Sequence, residues 1–175
     1  MPDFTKIAII DLSNPHDSVV SKFADAYSTA GFAYIKNHSV SQLLIDETFK
    51  ASKNFHRLNE AEKRTILLDK NHRGYIPINT STDVNSKLAD VKKPNQSSSF
   101  MMMRESDEKP HEYLSGPNQW PDIVGFRNTL TAYTEQMSTL GKRLISIAAE
   151  ACNAKPNELM PAFNLPTTWL RLLHY

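Results

Sequence analysis

Six histidines are scattered along the 175-residue chain, and they are the first residues to test for metal chemistry. His16, His38, His56, His72, His111 and His174 include no His-x-Asp, His-x-Glu or His-x-x-x-His pair of the kind that brings two ligands to one metal. His111 and Glu112 are adjacent, so on a strand they would face opposite sides. Each histidine therefore reads as a solvated or hydrogen-bonded part of the scaffold. Cys152 is the single cysteine, which excludes an internal disulfide and a cysteine-based zinc site. It falls at the C-terminal end of an apolar stripe and reads as a core thiol, since no helix N-terminus is there to activate it. There is no Gly-x-Ser-x-Gly turn, and five singly placed glycines offer no phosphate-binding loop.

Composition narrows the partners. Hydrophobic residues make up 40% and charged residues 22%, with 20 Lys and Arg against 19 Asp and Glu. That is an ordinary globular balance, with no basic block to neutralise nucleic-acid phosphates or anionic lipid. No stretch approaches the roughly 20 apolar residues that span a bilayer, and the start lacks a basic segment followed by an apolar run. A reducing, cytoplasmic compartment is the expectation.

The elements that would position any site follow from periodicity. Lys6 to Ile10 reads as a strand and Asp11-Leu12-Ser13-Asn14-Pro15 as a turn. Val20, Phe23, Tyr27 and Ala30 then recur at helical spacing before Gly31, a residue suited to a left-handed helix end. Phe32 to Ile35 reads as a second strand. Ser39 with Gln42 reads as a capping box for a helix bearing Leu43, Leu44, Phe49 and Phe55. Between Asp69 and Trp120 the periodicity is lost and Gly74, Pro77, Pro94, Pro110, Gly116 and Pro117 interrupt every element; a layer this long suggests a binding surface. After Pro121 the stripe Ile123, Phe126, Leu130, Tyr133, Met137, Leu140, Leu144, Ile147 and Ala151 predicts one long helix, packed inside its own domain or forming a coiled-coil seam. Thr167 to Tyr175 predicts a terminal strand with no partner in the sequence, so the chain reads as cut.

Six landmarks carry a resemblance. Ile9-Ile10-Asp11-Leu12-Ser13 and Gly31-Phe32 through Asn37-His38-Ser39-Val40 resemble the opening strand and the "GF-x-x-x-x-NH-x-V" segment of the isopenicillin N synthase-like, non-haem iron(II) and 2-oxoglutarate-dependent oxygenases. Phe55-His56-Arg57-Leu58 with Glu62-Lys63 is similar to that family's "FF-x-L-x-x-x-x-K", and Arg73-Gly74-Tyr75-Ile76-Pro77 to its "GY-x-P". Asn118-Gln119-Trp120-Pro121 with Phe126-Arg127 resembles "NxWP…FR", and Leu170 to Tyr175 the "LRLxxYP" strand. Each landmark also has a structural reading as a helix end, a turn or a staple at the long helix's start.

The resemblance implies an α+β fold: a helix-rich N-terminal domain with a long central helix and short strands, leading into a double-stranded β-helix, or jelly roll, cut off at its first strands. The implied parts are a non-haem dioxygenase N-terminal domain at 1–120, a support helix with a short helical turn at 121–164, and the first barrel strand at 165–175. The complete enzyme would use Fe(II) and 2-oxoglutarate to oxidise a small organic substrate by hydroxylation, desaturation or ring closure. Relatives that use iron without 2-oxoglutarate remain open, as does a stand-alone, non-catalytic interaction module. The two His, one carboxylate triad and the Arg-x-Ser that grips 2-oxoglutarate would lie downstream, so these 175 residues alone are expected to bind neither cofactor and to be inactive. Tyr175 is the expected 2-oxoglutarate contact, although Leu173 stands where relatives often have Asn. Residues 97–103 resemble the family's strand bordering the substrate pocket; alternation there sets Phe100 and Met102 against Ser99, Met101 and Met103, and Phe100 and Met102 are the expected lining of an apolar substrate mouth, with simple core filling as the alternative. Parity turns His174 away from Tyr175, so it is assigned a structural role.

Overall fold

A computed structural model describes residues 6–80, 95–105 and 114–175. His111, Pro94 and Pro110 lie outside them. Two compact units divide the chain, one formed by 1–42 with 133–166 and the other by 43–132 with 167–175. The long helix contributes to both.

The first unit opens with β1 (Ala8–Asp11), α1 (His16–Thr29) and β2 (Ala33–Lys36), whose strands run parallel with Ile10 beside Ile35. The turn after β1 is held by Asp11, whose carboxylate accepts from the Ser13 backbone and hydroxyl and from Asn37 Nδ2 at 2.7 Å. Helix α1 buries Val19, Phe23 and Ala26, so its inner face sits about one position off the expected stripe. Tyr27 instead lies 45% exposed, stacked on Phe23. At the helix end the N–H groups of Ala30 and Gly31 both reach the Ala26 carbonyl, with Gly31 at φ +80°, as its sequence position leads one to expect. Ile10, Leu12, Val19, Phe23, Ala26 and Ile147 form the core, with Leu140 and Leu144 packed against it. After the long helix come α5 (Pro156–Leu159) and a 3-10 turn, Met160–Phe163. Cys152, expected in the core, is exposed and lies one residue past the end of the helix at Ala151.

The second unit contains α2 (Gln42–Arg57), α3 (Glu60–Arg64), the antiparallel sheet β3-β4-β5 and the start of α4 (Phe126–Ala151). Its strands are β3 (Gly74–Ile76), β4 (Ser98–Met103) and β5 (Trp169–His174). Helix α2 begins at Gln42, so Ser41 and not Ser39 occupies its N-cap position. Ser39 is held at φ +66°, where a residue cannot take the extended conformation a cap requires. The reciprocal capping box belongs to α3, between Asn59 and Glu62. Leu44, Thr48, Ala51 and Phe55 form the buried face of α2, whereas Leu43 and Phe49, expected on that face, are 67% and 74% exposed. The terminal strand does have a partner: β5 pairs antiparallel with β4 along its whole length, which corrects the expectation of a strand without one.

The expected stripe of α4 runs through both cores. Phe126 and Leu130 join Ala51, Phe55, Ile66, Tyr75, Phe100, Met102 and Leu172 in the second unit, while Leu140, Leu144 and Ile147 serve the first. Trp120 and Ile123 pack at the helix start, with the Trp120 ring 6.3 Å from Phe126 and the Arg127 guanidinium over its face.

Candidate functional site

Register decides which side chains of the sheet share a surface. Tyr75, Phe100 and Leu172 lie abreast across its three strands, and all three are buried in the second unit's core. The other surface carries Ser99 opposite Leu173, Met101 opposite Arg171, and Met103 opposite Trp169. Trp169, Arg171, Leu173 and Tyr175 are exposed, so the alternation expected for the last strand is present: Leu172 turns inward and its neighbours outward.

Phe100 is fully buried, with its ring 5.2 Å from both Phe55 and Phe126 and 6.0 Å from Trp120; Met102 is 3% exposed. Core packing accounts for both side chains within this unit. Tyr175 is 86% exposed at the end of the opposite surface. Ser97, next in the same antiparallel register, has a buried hydroxyl without a partner among the described residues. The structure thus separates the three expected site residues: Phe100 and Met102 behind the sheet, Tyr175 in front of it.

Arg171 on the front was not singled out in the sequence. Strand parity already set it beside Tyr175, but its neighbour across the strands depends on a register that no local pattern specifies. Its Nε donates to Ser99 Oγ at 2.9 Å, and Ser99 is fully buried.

The landmark residues around the sheet are occupied by scaffolding. Asn118 accepts from the Met103 N–H at 2.9 Å and donates to its carbonyl at 2.7 Å, so a side chain completes the end of β4 as a strand would. Gln119 Nε2 donates to the Leu67 and Arg73 carbonyls. Arg73 is 1% exposed, and its guanidinium donates to the carbonyls of Asn71, Leu114 and Arg104. In the first unit a cleft of about 350 Å³ is lined by His38, Gln136 and Arg143 among others. Each of those three already makes a backbone contact: His38 Nδ1 accepts from Val40, Gln136 Oε1 accepts from Ser41, and Arg143 donates to Leu12.

Among the described histidines, several make contacts within the fold. His16 meets Glu150 at 2.7 Å, and His56 Nε2 meets the Leu172 carbonyl at 3.2 Å. His174 stacks on His56 with centroids 5.0 Å apart. Among the described residues no three His, Cys, Asp or Glu side chains cluster as metal ligands, so these residues do not fit an iron ion.

Burial holds the His56 imidazole below its ordinary range, the Leu172 carbonyl opposes this, and His174 and Lys63 add to the depression. Protons therefore bind the unfolded chain more readily than the folded one. The neutral ring's contribution is fully present above about pH 6.5 and is lost as pH falls through the depressed folded value. Urea midpoints should decline between pH 7.5 and 5.5, and His56→Gln should flatten that decline; an unchanged slope would remove His56 as its cause.

Residues 7–123 match the family described as the non-haem dioxygenase in morphine synthesis, N-terminal. Azadirone synthase of Melia azedarach is 30% identical over 95% of this chain and 52% of its own length. A 2-oxoglutarate-dependent dioxygenase of Aspergillus niger is 29% identical over 91% of this chain and 49% of its own. Among solved structures, a 2OG-Fe(II) oxygenase family protein of Caulobacter crescentus superposes with TM-score 0.81 at 21% identity, over 97% of this chain and 56% of that one. A full-length Neurospora crassa protein in complex with alpha-KG and thymine gives TM-score 0.79 at 24% identity, over all of this chain and 57% of that one. The chain thus spans about half the length of the relatives it matches.

Proposed function

Because the chain belongs to the N-terminal family of the non-haem iron(II) and 2-oxoglutarate-dependent oxygenases, we propose that it forms the N-terminal half of such an enzyme, which oxidises a small organic molecule. The family match over residues 7–123 carries this reading. Iron(II) with 2-oxoglutarate would activate dioxygen, which is the oxidant for the substrate C–H bond. The described residues hold no ligand set for iron, so we place the metal ligands on polypeptide following Tyr175, with β5 as the first strand of a catalytic jelly roll. The parts at 1–120, 121–164 and 165–175 keep their proposed roles as N-terminal domain, support segment and barrel strand. By themselves the 175 residues are proposed to be inactive.

This chain's own contribution is to present and brace one wall of the site. Tyr175 offers its hydroxyl to a carboxylate of 2-oxoglutarate. Phe100 and Met102, the proposed substrate-mouth residues, act from behind: their buried side chains fix β4 and hence the placement of Ser99, Met101 and Met103 on the front.

The test uses the protein encoded by the full reading frame. Iron(II) and 2-oxoglutarate should each bind it with micromolar affinity or better, and Tyr175→Phe should raise the 2-oxoglutarate KM while leaving iron affinity unchanged. Loss of one hydrogen bond of about 0.5–1.5 kcal/mol corresponds to roughly a 2- to 13-fold rise. A reading frame that closes without a His-x-Asp pair would instead favour a non-catalytic module, and an unchanged KM would show that Tyr175 is the wrong residue.

A further inference from the structure

The cleft of the first unit combines charges and apolar surface that no contact within the fold explains. Glu135, Gln136, Leu140 and Arg143 of α4 line it together with His38 and Val40 from the segment after β2. Its volume of about 350 Å³ falls among small-molecule sites, which run from roughly 300 to 1,000 Å³. Backbone contacts fix which polar atoms of these side chains are left over. His38 Nδ1 accepts from the Val40 N–H at 3.1 Å, so the neutral ring carries its proton on Nε2. Gln136 Oε1 accepts from the Ser41 N–H at 2.9 Å, which leaves the amide NH2 as a donor. Arg143 Nη2 donates to the Leu12 carbonyl at 2.7 Å and keeps its other N–H groups. Among the described residues, neither the Arg143 guanidinium nor the Glu135 carboxylate has an ion-pair partner, and they are not paired with each other.

Opposite charges that share one cleft without meeting complement a molecule that carries both. A simple acid would gain Arg143 and face Glu135, and an amine would do the reverse; a zwitterion satisfies each. At the rise of an α-helix the Cα atoms of Glu135 and Arg143 lie about 12 Å apart, so two long side chains can close on a short molecule between them. Most of the cleft's surface is apolar, with Val40 and Leu140 contributing, which suits an aliphatic side chain. Glu135, Gln136 and Arg143 lie outside all six landmark segments, so the family resemblance does not account for them.

We propose that this cleft is a binding site for a small zwitterion with an aliphatic side chain, an amino acid or a dipeptide, whose carboxylate meets Arg143 and Gln136 and whose ammonium meets Glu135. The His38 Nε2–H is a further donor to the carboxylate. All of these residues belong to the first unit, and the inference goes beyond the oxygenase reading without depending on it. Binding makes and breaks no covalent bond. It ties the segment after β2 to α4, so the ligand acts as a stabilising effector.

The experiment titrates leucine and leucyl-leucine into the protein encoded by the full reading frame, beside the N-acetyl and amide forms of each. Ligand-observed NMR reads binding, and thermal unfolding reads stabilisation. At least one zwitterion should bind with Kd of about 1 mM or tighter and raise Tm. It should bind about fivefold or more tighter than either blocked form, since each blocked form loses one solvated ion pair. Glu135→Gln removes an exposed side chain with no contact to lose; it should abolish the preference over the N-acetyl form and keep the preference over the amide. Arg143→Gln should do the opposite, with circular dichroism and Tm checking that loss of the Leu12 contact leaves the protein folded; if it does not fold, Glu135→Gln decides alone. A parent protein that binds neither zwitterion, or binds the blocked forms equally well, would overturn the proposal. So would a preference over the N-acetyl form that survives Glu135→Gln, because the zwitterion would then be held elsewhere.

Discussion

Replacing Phe55 by Ala is expected to cost about 3–5 kcal/mol, a large share of the roughly 5–15 kcal/mol that holds a domain folded. Phe55 is fully buried at the centre of the second unit. Its ring lies 5.8 Å from Tyr75, 5.2 Å from Phe100 and 5.8 Å from Phe126, so it joins α2 to β3, β4 and the start of α4 at once. Truncation removes a large apolar surface and leaves a cavity whose walls come from four elements and cannot collapse together. Phe49 on the same helix supplies the control. It is 74% exposed, and Phe49→Ala should shift stability by no more than about 0.5 kcal/mol. Urea denaturation of both variants tests the assignment of the core, and equal losses would show that the inner face of α2 has been misplaced.

Gly74→Ala should be comparably severe, at roughly 3 kcal/mol or more, for a backbone reason. Gly74 has φ +120°, a conformation that L side chains rarely adopt. A Cβ there would collide with the Ile66 carbonyl oxygen and would lie 2.9 Å from that of Leu67. Neither carbonyl is free to retreat, since Ile66 O accepts from Tyr75 N at 2.7 Å and Leu67 O from Gln119 Nε2 at 2.7 Å. Gly31 isolates the conformational part of this penalty. Its φ is +80°, but nothing lies within 4 Å of a Cβ built there. Gly31→Ala should therefore cost only about 1–2 kcal/mol. If thermal unfolding gave the two variants the same loss, steric contact at Gly74 would not be the cause.

The pair also shows what was legible in the sequence. Gly31 could be read locally, because a glycine after a helical apolar pattern has one common use. At Gly74 the motif was visible, but the reason for it was not: the obstructing carbonyls belong to a segment eight and seven residues earlier that folds back beside β3. The long helix was plain from its periodicity, and so was the alternation of the last strand. Leu43 and Phe49 misled because an apolar residue on a helix need not lie on its buried face; the choice is made by what packs there. Ser39 misled because its left-handed backbone is imposed by the turn that Asn37 and His38 build. For the site, parity set Tyr175 against His174. The pairing of Arg171 with Ser99 spans 72 positions and depends on the register between β4 and β5.

The discontinuity of the first unit has a consequence for synthesis. Leu12 accepts its hydrogen bond from Arg143, 131 positions later, and His16 meets Glu150, 134 positions later. At about 5–20 residues per second, a ribosome takes roughly 7–26 s to make the stretch between Leu12 and Arg143. For most of that interval, once β2 has been made, the apolar faces of β1, α1 and β2 lack Leu140, Leu144 and Ile147 to cover them. The strand-helix-strand opening is thus a nascent-chain liability. A holding chaperone that binds short apolar segments would act in that window and be released once α4 is made.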